Sequence, residues 1–196
     1  MSRLITNAIR STSASADAIT MDGSGNVTFP ANATCSGTAT GFGKILQVQE
    51  TVKTDTTSAT STDTWEDISG LSVSITPANS SNKILILATV NVCCTDTTYY
   101  ALRLQKGGSA IFVGDSSGNR SRVFAGKRDY SDNFGLNTDN LNFTDTAGGT
   151  SAITYNIGWY NPYGTSTRYL NRTVNDENAD YRFRTASSIT VIEVAA

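Results

Sequence analysis

Residues 83–90, Lys83-Ile-Leu-Ile-Leu-Ala-Thr-Val90, decide the fold class of this chain. The run is apolar at both odd and even positions, whereas a strand with one wet face alternates apolar and polar residues. It is therefore predicted to be a central strand that needs cover on both faces. A sandwich covers only the inner face of each sheet. The candidates for an interface with a second subunit are Ile84, Leu85, Ile86 and Leu87, although a large loop laid over the sheet is an alternative.

The rest of the chain from residue 44 onward repeats with a period of two, the spacing of a β-strand with one buried face. Turn-forming clusters rich in Gly, Pro, Asn and Ser separate the apolar runs at intervals typical of a sandwich. No segment shows a convincing helical pattern, so the sequence predicts an all-β domain. The alternating apolar sets are Leu46, Val48 and Val52; Leu71, Val73 and Ile75; Leu102 and Leu104; Leu141 and Phe143; Ile153, Tyr155, Ile157 and Trp159; and Ile189 and Val191.

Residues 1–43 differ in composition, because they are rich in Ser, Thr, Ala and Gly with isolated apolar residues. Ile19 and Met21 alternate with polar residues, a turn follows, and Val27 and Phe29 resume the alternation. A lone two-stranded ribbon buries too little apolar surface to offset the entropy of ordering its backbone. Such an arm is therefore either disordered or packed against other chains. We predict two parts: an extended N-terminal stem, 1–43, and a head domain, 44–196.

Charge and composition limit the partners of the protein. Of its 196 residues, 15 are Lys or Arg and 17 are Asp or Glu, which gives a formal net charge of −2. A nucleic-acid binder requires a dense basic face, so we expect no nucleic-acid partner. The start of the chain lacks the apolar core of a signal peptide, and no apolar run is long enough for a membrane span. We therefore expect synthesis in a host cytoplasm and no membrane insertion.

Four stretches of the sequence resemble short virion proteins of tailed phages, particularly phages of aquatic bacteria. The N-terminal module carries Leu4-Ile-Thr-Asn-Ala-Ile-Arg10 and Asp22-Gly-Ser-Gly-Asn-Val-Thr-Phe29; the body carries Gly70-Leu-Ser-Val-Ser-Ile-Thr-Pro77 and the final Ser188-Ile-Thr-Val-Ile-Glu-Val194. The resemblance implies a homotrimer whose head is a jelly-roll-like β-sandwich, of the type found in tumour necrosis factor and the complement C1q head. It also implies an extended N-terminal stem.

The function implied by this resemblance is a fibre-like or spike-like virion appendage. Its stem would dock on other virion proteins of the tail, the portal-proximal region or the capsid, and its head would contact the host surface. The docking candidates are Leu4, Ile5, Ile9, Ile19, Met21, Val27 and Phe29. A capsid decoration protein that cements neighbouring coat subunits is the main alternative. A carbohydrate-binding module and a polysaccharide depolymerase are two further alternatives.

Catalysis is not expected, and no catalytic residue, cofactor or metal ligand is assigned. The chain contains no histidine, so the usual base for a Ser or Cys nucleophile is missing. Glu66 and Asp67 beside Trp65 form the most suggestive carboxylate pair, but adjacent strand residues point to opposite faces. Cys93 and Cys94 would likewise point to opposite faces. With Cys35 as the other cysteine, we expect buried thiols rather than a zinc site or a disulfide framework.

Two oxygen-rich segments were considered as cation sites. Asp22-Gly-Ser-Gly-Asn26 spaces its oxygens like a calcium loop, but Val27 stands where that loop requires glycine and no glutamate closes it. We interpret it as a turn. Asn175-Asp-Glu-Asn-Ala-Asp180 is a denser cluster, and we interpret it as a solvated acidic loop with a bound cation as the alternative.

Aromatic residues supply the candidate contact surface. Tyr99, Tyr160 and Tyr163 combine flat apolar faces with polar tips, the chemistry that holds host glycans or protein partners. Because strand alternation buries every second residue, Trp159 and one tyrosine of the pair at 99–100 are predicted to belong to the core. Tyr163, in a Pro/Gly turn, is the candidate most strongly predicted to be exposed.

Overall fold

The strands of the computed structural model follow the alternation of the sequence. The structure describes residues 19–24, 26–28, 44–95, 98–130 and 133–196, and the backbone alone of residues 8–9. The chain forms two units, Met1–Phe42 and Gly43–Ala196, and each is described by itself. Leu4, Ile5, Phe29 and Cys35 lie outside the described residues.

The described residues form β-strands, turns and irregular segments without a helix. The strands are β1 (Ala8–Ile9), β2 (Ile19–Met21), β3 (Val27–Thr28), β4 (Ile45–Lys53), β5 (Thr57–Ala59), β6 (Trp65–Ile75), β7 (Lys83–Cys94), β8 (Tyr99–Lys106), β9 (Ser109–Ile111), β10 (Ala125–Arg128), β11 (Asn137–Thr146), β12 (Ile153–Tyr160), β13 (Arg168–Leu170) and β14 (Ser187–Val194).

The larger unit has the strand pairing of a jelly roll. Its main strands, taken in chain order, are β4, β6, β7, β8, β10, β11, β12 and β14. They pair from the outside inward: β4 with β14, β6 with β12, β7 with β11, and β8 with β10. This nesting is that of one long hairpin folded over into two antiparallel sheets. The prediction of an all-β, jelly-roll-like sandwich is therefore confirmed.

The two sheets enclose one hydrophobic core. Sheet one contains β4, β14, β7 and β11, joined by β13 and β5, and sheet two contains β10, β8, β12 and β6, joined by β9. Trp159 is buried in this core, as predicted, and Tyr100 is the buried member of the pair at 99–100. The core side chains from β7 include Ile84, Ile86, Val90 and Val92. A core of this size explains how the larger unit is stabilised by burial of apolar surface.

Strand β7 is central, as predicted, but along residues 84–87 the chain covers only one of its faces. Further along the strand, Asn91 and Cys93 are buried on the opposite face as well. Ile84 and Ile86 are fully buried against the second sheet, so they need no cover from another subunit and are removed from the candidate interface. Leu85 is half-buried and Leu87 is 37% exposed on the opposite face. The sequence could not separate these two pairs, because all four residues are apolar.

Two side-chain clusters of the same kind tie β11 to the second sheet. Asp139 accepts a hydrogen bond from Tyr100 Oη at 2.6 Å and forms an ion pair with Lys127 at 2.7 Å. Asp145 accepts a hydrogen bond from Tyr155 Oη at 2.8 Å and forms an ion pair with Lys106 at 2.7 Å. In each cluster the tyrosine and the lysine are directly opposite on neighbouring strands. The aspartates come from the facing sheet, so each cluster bridges the sandwich.

The smaller unit contains a three-stranded antiparallel sheet in the order β1-β2-β3. The turn between β2 and β3 is held by Asp22, whose Oδ1 accepts the backbone N–H groups of Ser24 and Asn26, each at 2.9 Å. The interpretation of this segment as a turn is therefore confirmed. Met21 and Val27 are cross-strand partners and are 37% and 51% exposed. Among the docking candidates, Ile9 lies in β1 and Ile19 is half-buried in β2.

Candidate functional site

One candidate surface is the side of the first sheet that faces away from the core. Strand registry places Val48 opposite Ile192 and Ile192 opposite Leu85, and it places Val52 four residues further along the same face of β4, opposite Ser188. Val48 and Val52 are each 53% exposed. These residues, Val48, Val52, Leu85, Leu87 and Ile192, are called the outer face below. Exposed apolar side chains grouped on one face of a sheet are typical of an interaction site.

Strand β4 explains why the outer face is apolar. Its alternation is inverted relative to the core, since its polar residues point inward. Gln47 donates to Glu193 at 2.6 Å and Lys53 is buried beside Gly70, whereas the valines point outward. Sequence alternation identified the shared face of Leu46, Val48 and Val52 but not its direction, because a strand pattern does not say which face meets the core.

A groove of about 260 Å³ lies beside Leu87 on the outer face. It runs between β14 and β11 and is lined by polar side chains that include Thr89, Asn140, Ser188 and Thr190. Thr89 Oγ1 donates to Asn140 Oδ1 at 2.9 Å across the β7–β11 pair. The outer face therefore combines an apolar stripe with a polar margin, which is the usual anatomy of a protein interface.

A second candidate surface surrounds the turn after β12. Asn161 is fully buried, and its Nδ2 donates to Gly164 O and Ser166 Oγ, both at 3.0 Å. Its Oδ1 accepts the backbone N–H of Tyr163 at 3.1 Å, and Thr98 Oγ1 donates to the carbonyl of Tyr163 at 3.1 Å. These bonds fix the backbone of the turn, so the exposed Tyr163 side chain projects from a rigid base.

Tyr99 and Tyr163 meet at this turn. Their rings are 6.4 Å apart at an angle of 84°, so they form a corner, and they are 40% and 72% exposed. Tyr99, Arg128, Pro162 and Tyr163 line a cavity of about 520 Å³, called the tyrosine cavity below. An adjoining cavity of about 220 Å³ shares three of these residues and adds hydroxyl groups of Thr98, Thr165 and Ser166. The structure thus brings two of the three tyrosine candidates together.

Tyr160 lies elsewhere. Its ring stacks on Trp65 at 4.9 Å, its hydroxyl donates to Asp63 at 3.1 Å, and the guanidinium of Arg103 lies 4.2 Å from the Trp65 ring centre. Burial, followed by the hydrogen bond to Asp63, raises the pKa of Tyr160. This residue is part of a packed array on the second sheet and does not line the tyrosine cavity. Arg128, which does line it, carried no sequence signal because a single arginine in a strand is not distinctive.

The carboxylates considered for catalysis do not converge. Glu66 pairs with the buried Arg168 of the facing sheet at 2.9 Å, whereas Asp67 accepts a hydrogen bond from Gln105 of its own sheet. The prediction that they point to opposite faces is confirmed. Cys93 and Cys94 are both buried, as predicted, and burial raises the pKa of the Cys94 thiol, which keeps it protonated.

The acidic loop is neutralised by arginine. Asp176 pairs with Arg184 at 2.5 Å and with Arg172 at 3.5 Å, and Glu177 pairs with Arg182 at 3.2 Å. These carboxylate oxygens are engaged by guanidinium groups rather than converging on one point. Within the ranges that the structure describes, no group of three or more potential metal-ligating side chains is found. Those ranges also contain no helix with the length and hydropathy of a membrane span.

Comparisons with known proteins find similarity among solved structures. No protein-family model and no curated protein sequence matches the chain. Among solved structures, one described as the structure of infectious bursal disease virus, Gx strain, is similar at a TM-score of 0.34 and 12% sequence identity. The match covers 85% of this chain and 44% of that one, so this chain spans less than half the length of its structural neighbour. The assignment of the fold rests on the strand pairing described above.

Proposed function

We propose that this chain is a structural protein of a phage virion that assembles as a homotrimer through the outer face. Its N-terminal unit docks on other virion proteins, and its jelly-roll unit projects as a head that contacts the host surface. The observation that carries the proposal is the inverted edge strand β4, which directs Val48 and Val52 away from the core, with Val48 in the same cross-strand row as Ile192 and Leu85. The trimeric state itself is suggested by the resemblance to phage virion proteins.

The free-energy cost of exposing the outer face to water supports its coverage by another subunit. Burial of exposed apolar side chains stabilises a protein by roughly 25 cal/mol for each Å² of surface removed from water. An edge strand of a monomer normally carries polar or charged residues on its wet side, which prevents unwanted pairing. Here four of the five polar residues of β4, Gln47, Gln49, Thr51 and Lys53, share the inner side, and Glu50 is the exception between the two outward valines. The arrangement favours a face that is dry in the assembled protein.

Exposed apolar residues of the smaller unit support docking. Met21 and Val27 form an apolar cross-strand pair on a short sheet and remain partly exposed to solvent. A sheet with so few residues gains stability when a partner covers it. We propose other virion proteins as that partner.

The proposed work is mechanical and adhesive, without catalysis. Its support is the separation of Glu66 and Asp67 onto opposite faces, which removes the most suggestive carboxylate pair. The rigid turn and the exposed tyrosines give the head a surface suited to contact with a partner. Three heads on one trimer would convert a weak contact at each into stronger attachment.

Light scattering of the full chain tests the oligomeric part of the proposal. We expect a mass near three times the chain mass of 20.8 kDa. Val48→Glu combined with Leu87→Glu should shift the protein to single chains, because each places a charge in the dry interface. Ser72→Glu combined with Ser74→Glu is the matched control, since it adds the same two charges at exposed positions on the second sheet. A mass of one chain for the unaltered protein at micromolar concentration would contradict the proposal.

A further inference from the structure

The tyrosine cavity adjoins a surface that is lined by hydroxyl groups. The neighbouring cavity of about 220 Å³ shares Thr165 and Ser166 with a further cavity of about 290 Å³. The lining of this further cavity consists of threonine and serine, because it adds Thr60, Thr95 and Thr167 to the shared pair. The two neighbours of the tyrosine cavity are together called the hydroxyl groove below. An aromatic surface therefore continues into one of small polar side chains.

The hydrogen bonds within the hydroxyl groove leave it with both donors and acceptors. A hydroxyl group has one hydrogen to donate and two lone pairs that accept. Ser166 Oγ accepts a hydrogen bond from Asn161 Nδ2 at 3.0 Å, so its own hydrogen is left to donate. Thr95 Oγ1 likewise accepts the backbone N–H of Thr167 at 3.0 Å. Thr98 Oγ1 instead donates to a backbone carbonyl of the turn at 3.1 Å, which leaves its lone pairs to accept.

The tyrosine cavity supplies an apolar wall beside these polar groups. The ring of Tyr163 is 72% exposed and lies at 84° to the ring of Tyr99, so the pair offers one flat face and one edge. The cavity volume of about 520 Å³ is within the range of small-molecule sites. An uncharged sugar ring has an apolar C–H face, and each of its hydroxyl groups both donates and accepts. A proline-rich peptide, by contrast, brings only backbone acceptors to the groove.

We propose that the tyrosine cavity and the hydroxyl groove together bind a neutral saccharide. One sugar ring packs on the face of Tyr163, and the hydroxyl groups of the next sugar unit form hydrogen bonds with Thr165 and Ser166. The buried Asn161 holds the turn, so Tyr163 needs little ordering when the ligand binds. The contact uses no ion pair, so the affinity should not depend on salt concentration. This inference names the ligand class for the host contact of the proposed function and rests on that function.

Titrations with defined oligosaccharides test the inference. The probes are cellotetraose and a tetramer of β-linked galactose, and decaproline represents a peptide ligand that offers only acceptors. Saturation-transfer NMR of the full chain should show contact between the protein and the ring hydrogens of at least one tetramer. We expect no response for decaproline. The affinity for the tetramer that binds should be the same at low and at high salt concentration.

Substitutions at the site locate the binding. Tyr163→Ala should weaken binding of the tetramer by about tenfold or more, whereas Tyr163→Phe should keep most of the affinity because the ring face remains. Thr165→Val keeps the shape of the side chain but removes its hydroxyl group, so it should weaken binding by about threefold to tenfold. Tyr181→Ala and Thr150→Val are matched controls at exposed positions that line none of these cavities. Tyr163 and Thr165 are exposed as well, so their variants should keep the melting temperature of the unaltered protein.

Four outcomes would overturn the inference. They are binding of neither tetramer, tighter binding of decaproline than of both tetramers, a marked loss of affinity at high salt concentration, and unchanged affinity in either Tyr163→Ala or Thr165→Val. Neither substitution lies on the outer face, so the trimer mass measured by light scattering is independent of them. A trimer that binds neither tetramer would overturn this inference alone, whereas a single-chain protein would overturn the proposed assembly.

Discussion

At the scale of single residues, polar groups buried at the inner side of the first sheet determine much of the local order. Glu193 is fully buried on β14. It accepts hydrogen bonds from Asn82 Nδ2 and Gln47 Nε2, both at 2.6 Å, and from the backbone N–H of Ala78 at 2.8 Å. A carboxylate surrounded by donors stays ionised even in a dry place. The side chain therefore ties the end of β14 to β4 and to the turn before β7.

The first prediction concerns Glu193. Burial by itself would raise the pKa of this carboxyl, but the hydrogen bonds from Asn82, Gln47 and Ala78 outweigh it and lower the pKa below its ordinary value of 4.5. Its stabilising contribution is therefore complete above about pH 4.5 and is lost as the pH falls through the folded-state pKa. Glu193→Gln should lower the melting temperature at about pH 7 by about 2–8 °C.

The measurement is thermal unfolding of both proteins at about pH 7 and about pH 3. The difference between the two proteins should shrink at the acidic pH, because the unaltered Glu193 becomes protonated there. Asp115→Asn is the control, since Asp115 is an exposed carboxylate in a loop and does not belong to the outer face. An equal difference at both pH values would show that the charge of Glu193 is irrelevant.

At the scale of elements, β11 illustrates how an edge strand with a polar sequence is held in a sandwich. Asp139 and Asp145 both point toward the second sheet, where each meets a tyrosine and a lysine. Burial and the hydrogen bond to the aspartate raise the pKa values of Tyr100 and Tyr155. Both phenols consequently remain protonated donors across the physiological range. The two clusters hold β11 at both ends.

The second prediction concerns these clusters. Asp139→Asn should lower the free energy of unfolding by about 1–3 kcal/mol, because the amide leaves Tyr100 and Lys127 with a weaker partner inside the sandwich. Tyr100→Phe should cost less when Asp139 is already replaced than when it is present, since the two residues share one interaction. A double-mutant cycle by urea denaturation measures this coupling. Strictly additive effects would mean that the hydrogen bond contributes nothing to stability.

Apolar residues at every second position predict where a strand lies and which residues share a face, but they do not predict which face meets the core. Alternation identified β7, β12 and β14, the burial of Trp159 and the burial of one tyrosine of the pair at 99–100. It could not assign direction to β4, because inward-pointing Gln47 and Lys53 oppose the usual preference for an apolar inner face. It also could not find Arg128, since this residue reaches the tyrosine cavity only through the pairing of β10 with β8. Long-range pairing, not local pattern, decides both cases.

At the scale of the whole molecule, the proposed function divides the work between the two units. The larger unit contains a hydrophobic core between its two sheets, which indicates that it can fold without the smaller one. The smaller unit exposes Met21 and Val27 on a sheet of short strands. The boundary predicted from composition lies after residue 43, next to the division between Met1–Phe42 and Gly43–Ala196. The assignment of residues 1–43 as a docking stem stays a prediction.

The third prediction concerns that stem. Deleting residues 1–43 should abolish incorporation into virions, because the proposed docking surface is removed, while the remaining head stays folded and rich in β-structure. Circular dichroism of the purified head and immunodetection in purified particles measure the two effects. Cryo-electron microscopy of intact particles then locates the protein. A few copies at the tail or a vertex would support an appendage, whereas many copies at lattice junctions would support a decoration protein.

A point-substitution version of this experiment separates docking from simple shortening of the chain. Met21→Glu with Val27→Glu places charges on the exposed cross-strand pair and should reduce incorporation as strongly as the deletion does. Ser24→Glu adds a charge at the tip of the same hairpin and should leave incorporation unchanged, because the tip presents no apolar side chain. Particles that retain normal copy numbers of the double variant would exclude this pair as the docking contact. Normal copy numbers of the deleted protein would exclude the stem altogether, since the head alone would then suffice for attachment to the virion.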